Sequence, residues 1–339
     1  MWAKIRAWFI LTRGSNLPTV WSNLFSGWIL GFIFTQHMPV IINAGILLVG
    51  LWIGVSLTYV GGMILNDAFD AKWDAERRSS RPIPMGLISV RTAYIVGFIC
   101  LFLGYKITVA SSYEDGRHVF QDQRQLVSWL ALLLAVCVVV YNRWHKQVAW
   151  APWVMATCRL LLPVIGFASL ADIRSVWALT GPAFFTLLVH PLVLWLLTFA
   201  ITLVARHEAS DRQPPGWVEW LLFLIPLPLL VTAEYWGAGY GWWAFVCCGL
   251  YWTWLRRSNR KHPLPEGVGA RVSDRLASFP LLDLAATSTF LFYTKEMVGS
   301  QSQLENMYVG FTRHLGSFWI IPLGCFGFTL LLRRWIPTT

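Results

Sequence analysis

The sequence predicts an all-α membrane protein, a polytopic bundle of nine or ten transmembrane helices, and three observations predict it. Of 339 residues, 56% are hydrophobic and only 13% charged, against about 25% charged in a soluble domain; the mean hydropathy is +0.54. Such a chain cannot cover a globular surface. Apolar runs of helical length recur along it, each near the roughly 20 residues that cross about 30 Å of hydrocarbon. The runs are continuously apolar rather than alternating, which excludes barrel strands. The net charge of +10 gathers in alternate loops, a membrane pattern rather than a nucleic-acid one.

The first run, 17–35, follows a basic N-terminus with Lys4, Arg6 and Arg13. No cleavable signal pattern precedes it, so this helix is expected to be retained. The second, 44–65, ends in acidic residues. The third and fourth are 89–110, with Arg91 and Lys106, and the uncharged 126–141. The fifth, 150–170, carries Arg159, and the sixth, 181–205, carries His190 beside Pro191. Runs 217–234 and 238–255 follow. Run 277–294 is the weakest, because Asp283 and Lys295 interrupt or flank it; if it lies half-inserted, nine spans remain. The last run is 317–333. Basic loops around Lys72–Arg91, Arg143–Lys146, Arg206–Arg212, Arg256–Arg275 and Arg333–Arg334 alternate with short neutral or mixed ones. The positive-inside rule puts the N-terminus, the acidic cluster and the 206–216 loop in the cytoplasm, and the C-terminus too if all ten segments span; a bacterial inner membrane is the expected setting. Many of the 21 Trp fall near run ends, as interfacial belts require. The six Cys lie inside apolar runs without metal-ligand spacing and read as structural. The whole chain, 1–339, reads as one transmembrane domain with a first acidic loop at 66–91 and a second at 206–216.

Chemistry concentrates where the second run ends, in Asn66-Asp67-Ala-Phe-Asp70-Ala-Lys72-Trp-Asp74. Helix ends at membranes normally carry basic anchors, not clustered acids. If the helix continues, Asn66, Asp70 and Asp74 form one stripe about 12 Å long. Such a stripe repels itself unless a cation lies among its oxygens, and Mg2+, completed by substrate phosphate, is the economical one. Arg77, Arg78 and Arg81 follow, closed by Pro82-Ile83-Pro84-Met85-Gly86. Guanidiniums present planar forks to phosphate, and the two prolines force the loop back over the helix mouth. A solvated loop obeying the positive-inside rule accounts for the arginines but not for the acids among them.

These residues carry a resemblance. Asn66-Asp67-x-x-Asp70-x-x-x-Asp74 followed by Arg81-Pro82-Ile83-Pro84 resembles the first signature of the UbiA superfamily of intramembrane prenyltransferases. Tyr141-Asn142 with Lys146 looks like the family's Tyr-Ser/Asn…Lys element, and Thr12-Arg13-Gly14-Ser15-Asn16-Leu17-Pro18-Thr19 resembles the start of its first helix. The resemblance covers roughly 10–255. It implies a bundle of about nine helices around a central cavity, with two acidic loops facing each other across a cytoplasmic mouth. The chain departs from the pattern in the second loop, where Arg206-His207-Glu208-Ala-Ser-Asp211-Arg212 stands in place of an Asp-rich motif. Glu208 and Asp211 share a helix face at i, i+3, and Arg206 would meet diphosphate directly. His207 reads as a base or as a hydrogen-bonding bystander. With the Asn16–Asn23 segment, this variant looks most like the EboC-like branch, which is associated with export or membrane handling of a metabolite precursor.

Other polar groups have two readings each. Arg159 lines the cavity or pairs with a carboxylate such as Asp283. Asn16 and Asn23 line the mouth or bond between helices. Asn142 gains weight from Tyr141 and Lys146, whereas His190 reads as a packing partner rather than a ligand.

Two functions follow. The first is an enzyme that transfers a prenyl group from an isoprenoid diphosphate to a hydrophobic or aromatic acceptor, by ionisation of the allylic diphosphate. Asn66, Asp67, Asp70, Asp74, Glu208 and Asp211 are the candidate Mg2+ ligands, with Asp70, Asp74 and Tyr141 catalytic. Lys72, Arg77, Arg81, Lys146 and Arg206 are the candidate diphosphate contacts, and Asn16, Asn142, Arg159 and His207 line the cavity. Tyr141, Phe69 or Trp73 would steady a cation through a ring face. The second is a non-catalytic binding or export component for isoprenoid or lipid metabolites on the same scaffold, motivated by the altered second loop.

Overall fold

The computed structural model describes residues 2–33, 39–112, 121–170, 182–207, 213–235, 241–264, 267–288 and 320–336. Among these the chain is helical and has no strands. Helix α1 (Trp2–Thr12) leads through a short 3-10 turn, Gly14–Asn16, into α2 (Leu17–Ile33). Then come α3 (Pro39–Phe69), the short α4 (Ala71–Arg77), α5 (Val90–Ala110), α6 (Gln121–Trp144) and α7 (Ala151–Ala168). After these stand α8 (Pro182–Ala205), α9 (Gly216–Leu224), α10 (Leu227–Tyr235), α11 (Gly241–Lys261), α12 (Val268–Ala277) and α13 (Ile320–Leu332). A further helical segment covers 279–288.

Six helical stretches among the described residues are long and apolar enough to cross a membrane: Gly45–Phe69, Val90–Ala110, Arg124–Trp144, Ala151–Ala168, Leu187–Ala205 and Gly216–Ala233. The last combines α9 and α10 across a break at Ile225-Pro226. The protein is therefore an integral membrane protein by the length and apolarity of these helices. Large apolar side chains such as Phe102, Trp129 and Val231 face outward, as lipid-facing helices require.

Close packing is set by small residues, since apolar area gives helices no drive to associate in lipid. On α3, Gly54 and Gly61 face Gly104 and Gly97 of α5; a Cβ on Gly61 would stand 2.8 Å from the Gly97 carbonyl oxygen. Helices α2 and α7 approach more tightly. A Cβ on Gly166 would lie 2.1 Å from the Leu24 carbonyl oxygen, and one on Gly27 1.8 Å from that of Pro163. These two crossings fix α2, α3 and α7 around a common space, and α6 and α8 close it.

Segment 279–288 is buried inside the bundle rather than set apart from it. Asp283 is fully buried and accepts hydrogen bonds from Ser22 (2.6 Å), Asn23 (2.8 Å) and Ser26 (3.3 Å) on α2, and pairs with His190 Nε2 (2.9 Å) on α8. His190 is thus a helix-packing partner. Four polar partners offset the desolvation of a carboxylate that would otherwise be prohibitive in this setting.

Candidate functional site

The cavity enclosed by α2, α3, α6, α7 and α8 has a volume of about 720 Å³, well within the range of small-molecule sites. Its depth follows from helix geometry. On α3 it is lined from Asn66 to Val55 and on α7 from Ala151 to Leu162, eleven residue steps on each, or about 16 Å at 1.5 Å per step. One end is polar and carries Asp70, Asp74, Arg78, Arg81, Lys146 and Arg206. Deeper, the walls are mainly apolar, with Val20, Val55, Leu134, Val138, Leu162 and Ile201.

At the mouth the α3 helix bends only slightly at Asp70 before α4 continues it. The amide of Asp70 still bonds the Asn66 carbonyl (3.0 Å) and that of Asp74 the Asp70 carbonyl (2.8 Å), so Asn66, Asp70 and Asp74 do stay on one stripe. Arg81 returns to that stripe because the chain turns back at Pro82–Gly86, where Gly86 takes φ +72°, the left-handed region that favours glycine, and its amide bonds the Ile83 carbonyl (2.9 Å). Ser89 then caps α5, accepting from the Thr92 amide at 3.0 Å.

The acids are paired individually. A single nitrogen of Arg81, Nη1, donates to Asp67 Oδ1 (3.1 Å) and Asp74 Oδ2 (2.9 Å). Asp67 also accepts from Arg13 (3.1 Å) and does not line the cavity. Asp70 is held by Lys146 Nζ at 2.7 Å, with His145 Nε2 at 3.5 Å. Burial works to raise the Asp70 pKa, but the bonds from His145 and Lys146 outweigh it and hold the carboxyl below its ordinary value. Asp74 is raised instead: burial dominates, and the nearby Asp70 and Asp67 charges add to it against Arg81. Its Oδ1 is buried without a partner, as is Oδ1 of Asn16 on the cavity wall.

That orphaned oxygen decides whether a divalent cation suits the site. Asp70 and Asp74 present hard oxygen donors at the polar end, and Asp74 Oδ1 has nothing else to bind. Among the described residues no three His, Cys, Asp or Glu side chains converge on a metal-like point. Mg2+ takes one or two carboxylates and completes its shell from water and phosphate, so this donor set fits it. Asp67, engaged by two guanidiniums, is the poorest donor of the stripe.

The remaining predicted residues distribute unevenly. Asn142 donates to the Gly62 carbonyl (2.8 Å) and accepts from Asn66 Nδ2 (3.2 Å), which ties α6 to α3 under the mouth. Tyr141 lines the cavity and stacks on His145, ring centroids 5.1 Å apart. Arg206 lines the cavity with its guanidinium on the carbonyls of Val148 (2.7 Å) and Ala149 (3.4 Å). Arg159 lines the cavity too, and donates to Asn23 (2.7 Å) and Thr19 (2.9 Å). Asn23 also bonds Asp283, so the two sequence readings of Arg159 are joined by one amide.

Lys72 and Arg77 are exposed and do not line the cavity; they stand on the outer face of α4, and Arg77 pairs with Glu76. Phe69 packs edge-on against Tyr94, away from the cavity. Trp73 lines the cavity, but its ring carries Lys146 Nζ at 3.8 Å and Arg77 at 4.9 Å, so it is a platform for basic groups. His207 is half-buried beside the Leu203 carbonyl (3.0 Å) and outside the cavity lining. Glu208 and Asp211 lie outside the described residues.

The residues named from the sequence as site residues left out Arg13, Arg78 and His145, all of which line the cavity. His145 had a signal, being four residues beyond Tyr141 and next to Lys146. Arg13 stood in the motif at the first helix, but spacing did not show that it would face the cavity, because it arrives through a left-handed backbone (φ 44°, ψ 43°) that a non-glycine residue rarely adopts.

A family described as the UbiA prenyltransferase family matches residues 25–266. A digeranylgeranylglyceryl phosphate synthase of Metallosphaera sedula is 29% identical over 93 residues, which span 27% of this chain and 28% of that relative's length. A solved structure from work on digeranylgeranylglyceryl phosphate synthase in membranes superposes with a TM-score of 0.53 at 15% identity, covering 85% of this chain and 99% of the other. That likeness is one of fold.

Proposed function

Because the chain belongs to the UbiA prenyltransferase family, we propose that it moves a prenyl group from an isoprenoid diphosphate to a hydrophobic acceptor inside the membrane. The observation that carries this reading is the polarity of this cavity: acids and cations, several of them paired, at one end, and about 16 Å of mainly apolar wall behind them. A molecule with a charged diphosphate head and a long hydrocarbon tail matches both ends at once.

In this mechanism Lys146, Arg81 and Arg78 receive the diphosphate. Each is a cation at the mouth, and the first two already bind carboxylate oxygens that phosphate oxygens resemble. Asp70 and Asp74 would hold Mg2+, with Asn66 beside them. When bound, the ion supplies Lewis acidity that stabilises the charge of the departing diphosphate. Asn142 keeps Asn66 in place, and Trp73 holds Lys146 over its ring so that the ammonium stays at the mouth. Val55, Leu134, Val138 and Leu162 take the tail and exclude water that would quench an allylic cation. Tyr141, between mouth and tail, is the ring best placed to face that cation. Glu208 and Asp211 belong to this proposal as a second acidic pair.

The relative's name supports a lipid acceptor over an aromatic one. Nine or ten spans, a single domain over 1–339 and a cytoplasmic mouth in a bacterial inner membrane complete the reading, the last from the positive-inside pattern. The test is prenyl transfer by purified protein with Mg2+: Asp70→Ala and Asp74→Ala each lower it at least about 100-fold, the scale of losing a main electrostatic contact. Full activity in both variants removes the acids from the reaction.

A further inference from the structure

A second cavity, about 680 Å³, lies behind α12. That short helix separates the two: Val272 and Leu276 face the prenyl cavity, while Ser273 and Asp274 face the other. Both therefore border α12. The second cavity forms where the ends of α11 and α13 meet α12, and its lining includes Arg257, Lys261, Arg333 and Arg334. Among the described residues one carboxylate, Asp274, lines the hollow with these four cations. Its Oδ1 is bonded by Arg333 Nη2 at 2.9 Å and its Oδ2 lies 3.6 Å from His262 Nε2. Arg333 also bonds Ser273, so it is fixed in the wall. Asp274 is spent on it, which leaves three cations without a carboxylate among the described lining residues.

The positive-inside rule explains why cations sit at these helix ends. It does not explain why residues from 257 to 334 converge on one hollow, nor why that hollow contains a polar group with nothing to bind. Ser258 lines it, is 2% exposed, and its Oγ has no hydrogen-bond partner among the described residues. A buried hydroxyl without a partner is rare in native proteins and points to a missing one. The walls suit an amphipathic guest, since Leu330 lines the same hollow. Trp335, next to Arg334, is 81% exposed, as Trp is at the headgroup level of a bilayer.

We infer that this hollow is a binding site for the phosphate-bearing headgroup of an anionic membrane lipid. Arg257, Lys261 and Arg334 meet the phosphate, Ser258 Oγ donates to it, and Leu330 lies along the glycerol and upper acyl chain. Basic hollows between transmembrane helices at the headgroup level bind anionic lipids in this way. The site is independent of the prenyl cavity and uses none of its residues.

The test is native mass spectrometry of the purified full-length chain in detergent with phosphatidylglycerol or phosphatidylcholine, against R257Q/K261Q/R334Q. These three side chains are exposed, so the variant should fold. Wild type is expected to retain one phosphatidylglycerol at least about tenfold better than phosphatidylcholine, the scale of several basic contacts at a membrane surface. The variant should lose that preference while keeping its affinity for isoprenoid diphosphate. Equal retention of the two lipids by wild type overturns the proposal, whatever the variant does. So does undiminished retention of phosphatidylglycerol by a folded variant, or its displacement by millimolar inorganic phosphate, which would mark a free-anion site.

Discussion

Replacing Arg81 by Gln removes the one nitrogen that bridges Asp67 and Asp74. The two carboxylates do not suffer equally. Asp67 keeps Arg13 at 3.1 Å, so its loss is small. Asp74, whose side chain is 1% exposed, loses the bond to Oδ2 while Oδ1 already lacks a partner among the described residues, and it becomes a buried carboxylate with no cation bonded to it. Removing one partner of a buried ion pair costs about 3–5 kcal/mol, whereas exposed pairs contribute about 0.2–1. Arg81 is itself 18% exposed at a cavity mouth, which places the expected loss near the lower end of the buried range, about 3 kcal/mol. At roughly 2–4 °C per kcal/mol the thermal midpoint falls by about 6–12 °C, measured by tryptophan fluorescence in detergent without metal or substrate. Arg81→Lys should recover more than half of this, because one ammonium suffices where one Nη nitrogen does the bridging. A shift under about 2 °C for Arg81→Gln would refute the reasoning and make Arg81 an ordinary loop cation.

Two further outcomes follow from the same geometry. Gly166→Ala drives a Cβ to 2.1 Å from the Leu24 carbonyl oxygen and 2.8 Å from the Trp28 amide nitrogen, both backbone atoms; overpacking of this kind costs about 1–3 kcal/mol or more. The control, Gly249→Ala on α11, meets nothing within 4 Å and should leave stability unchanged or raise it by up to about 1 kcal/mol in a thermal melt. Lys72→Ala and Arg77→Ala, on the outer face of α4, are expected to change the KM for an isoprenoid diphosphate less than about twofold, while Lys146→Ala raises it at least about tenfold.

The helical membrane class was legible because apolar length and continuous apolarity need no tertiary information. The acidic stripe was legible for a related reason: the period of the helix places Asn66, Asp70 and Asp74, and α4 follows α3 with hardly a bend. What stayed hidden was which side of α4 would face inward. Spacing alone could not tell Arg78 and Arg81, which line the cavity, from Lys72 and Arg77, which do not. Arg13 depends on a left-handed backbone, and the weak run 277–294 hid a deeply buried polar knot around Asp283 that only partners from α2 and α8 make tolerable. The span count rested on run length, and among the described residues six stretches meet that standard.

The measurement that bears most directly on the central claim is release of diphosphate from geranylgeranyl or farnesyl diphosphate by the purified protein, with Mg2+ and after its removal by chelation. The account predicts release with Mg2+, none after chelation, and recovery when the ion is restored. Tight, metal-dependent binding of the diphosphate with no release in the presence of lipid acceptors would contradict it, and would make the protein a carrier on a prenyltransferase scaffold.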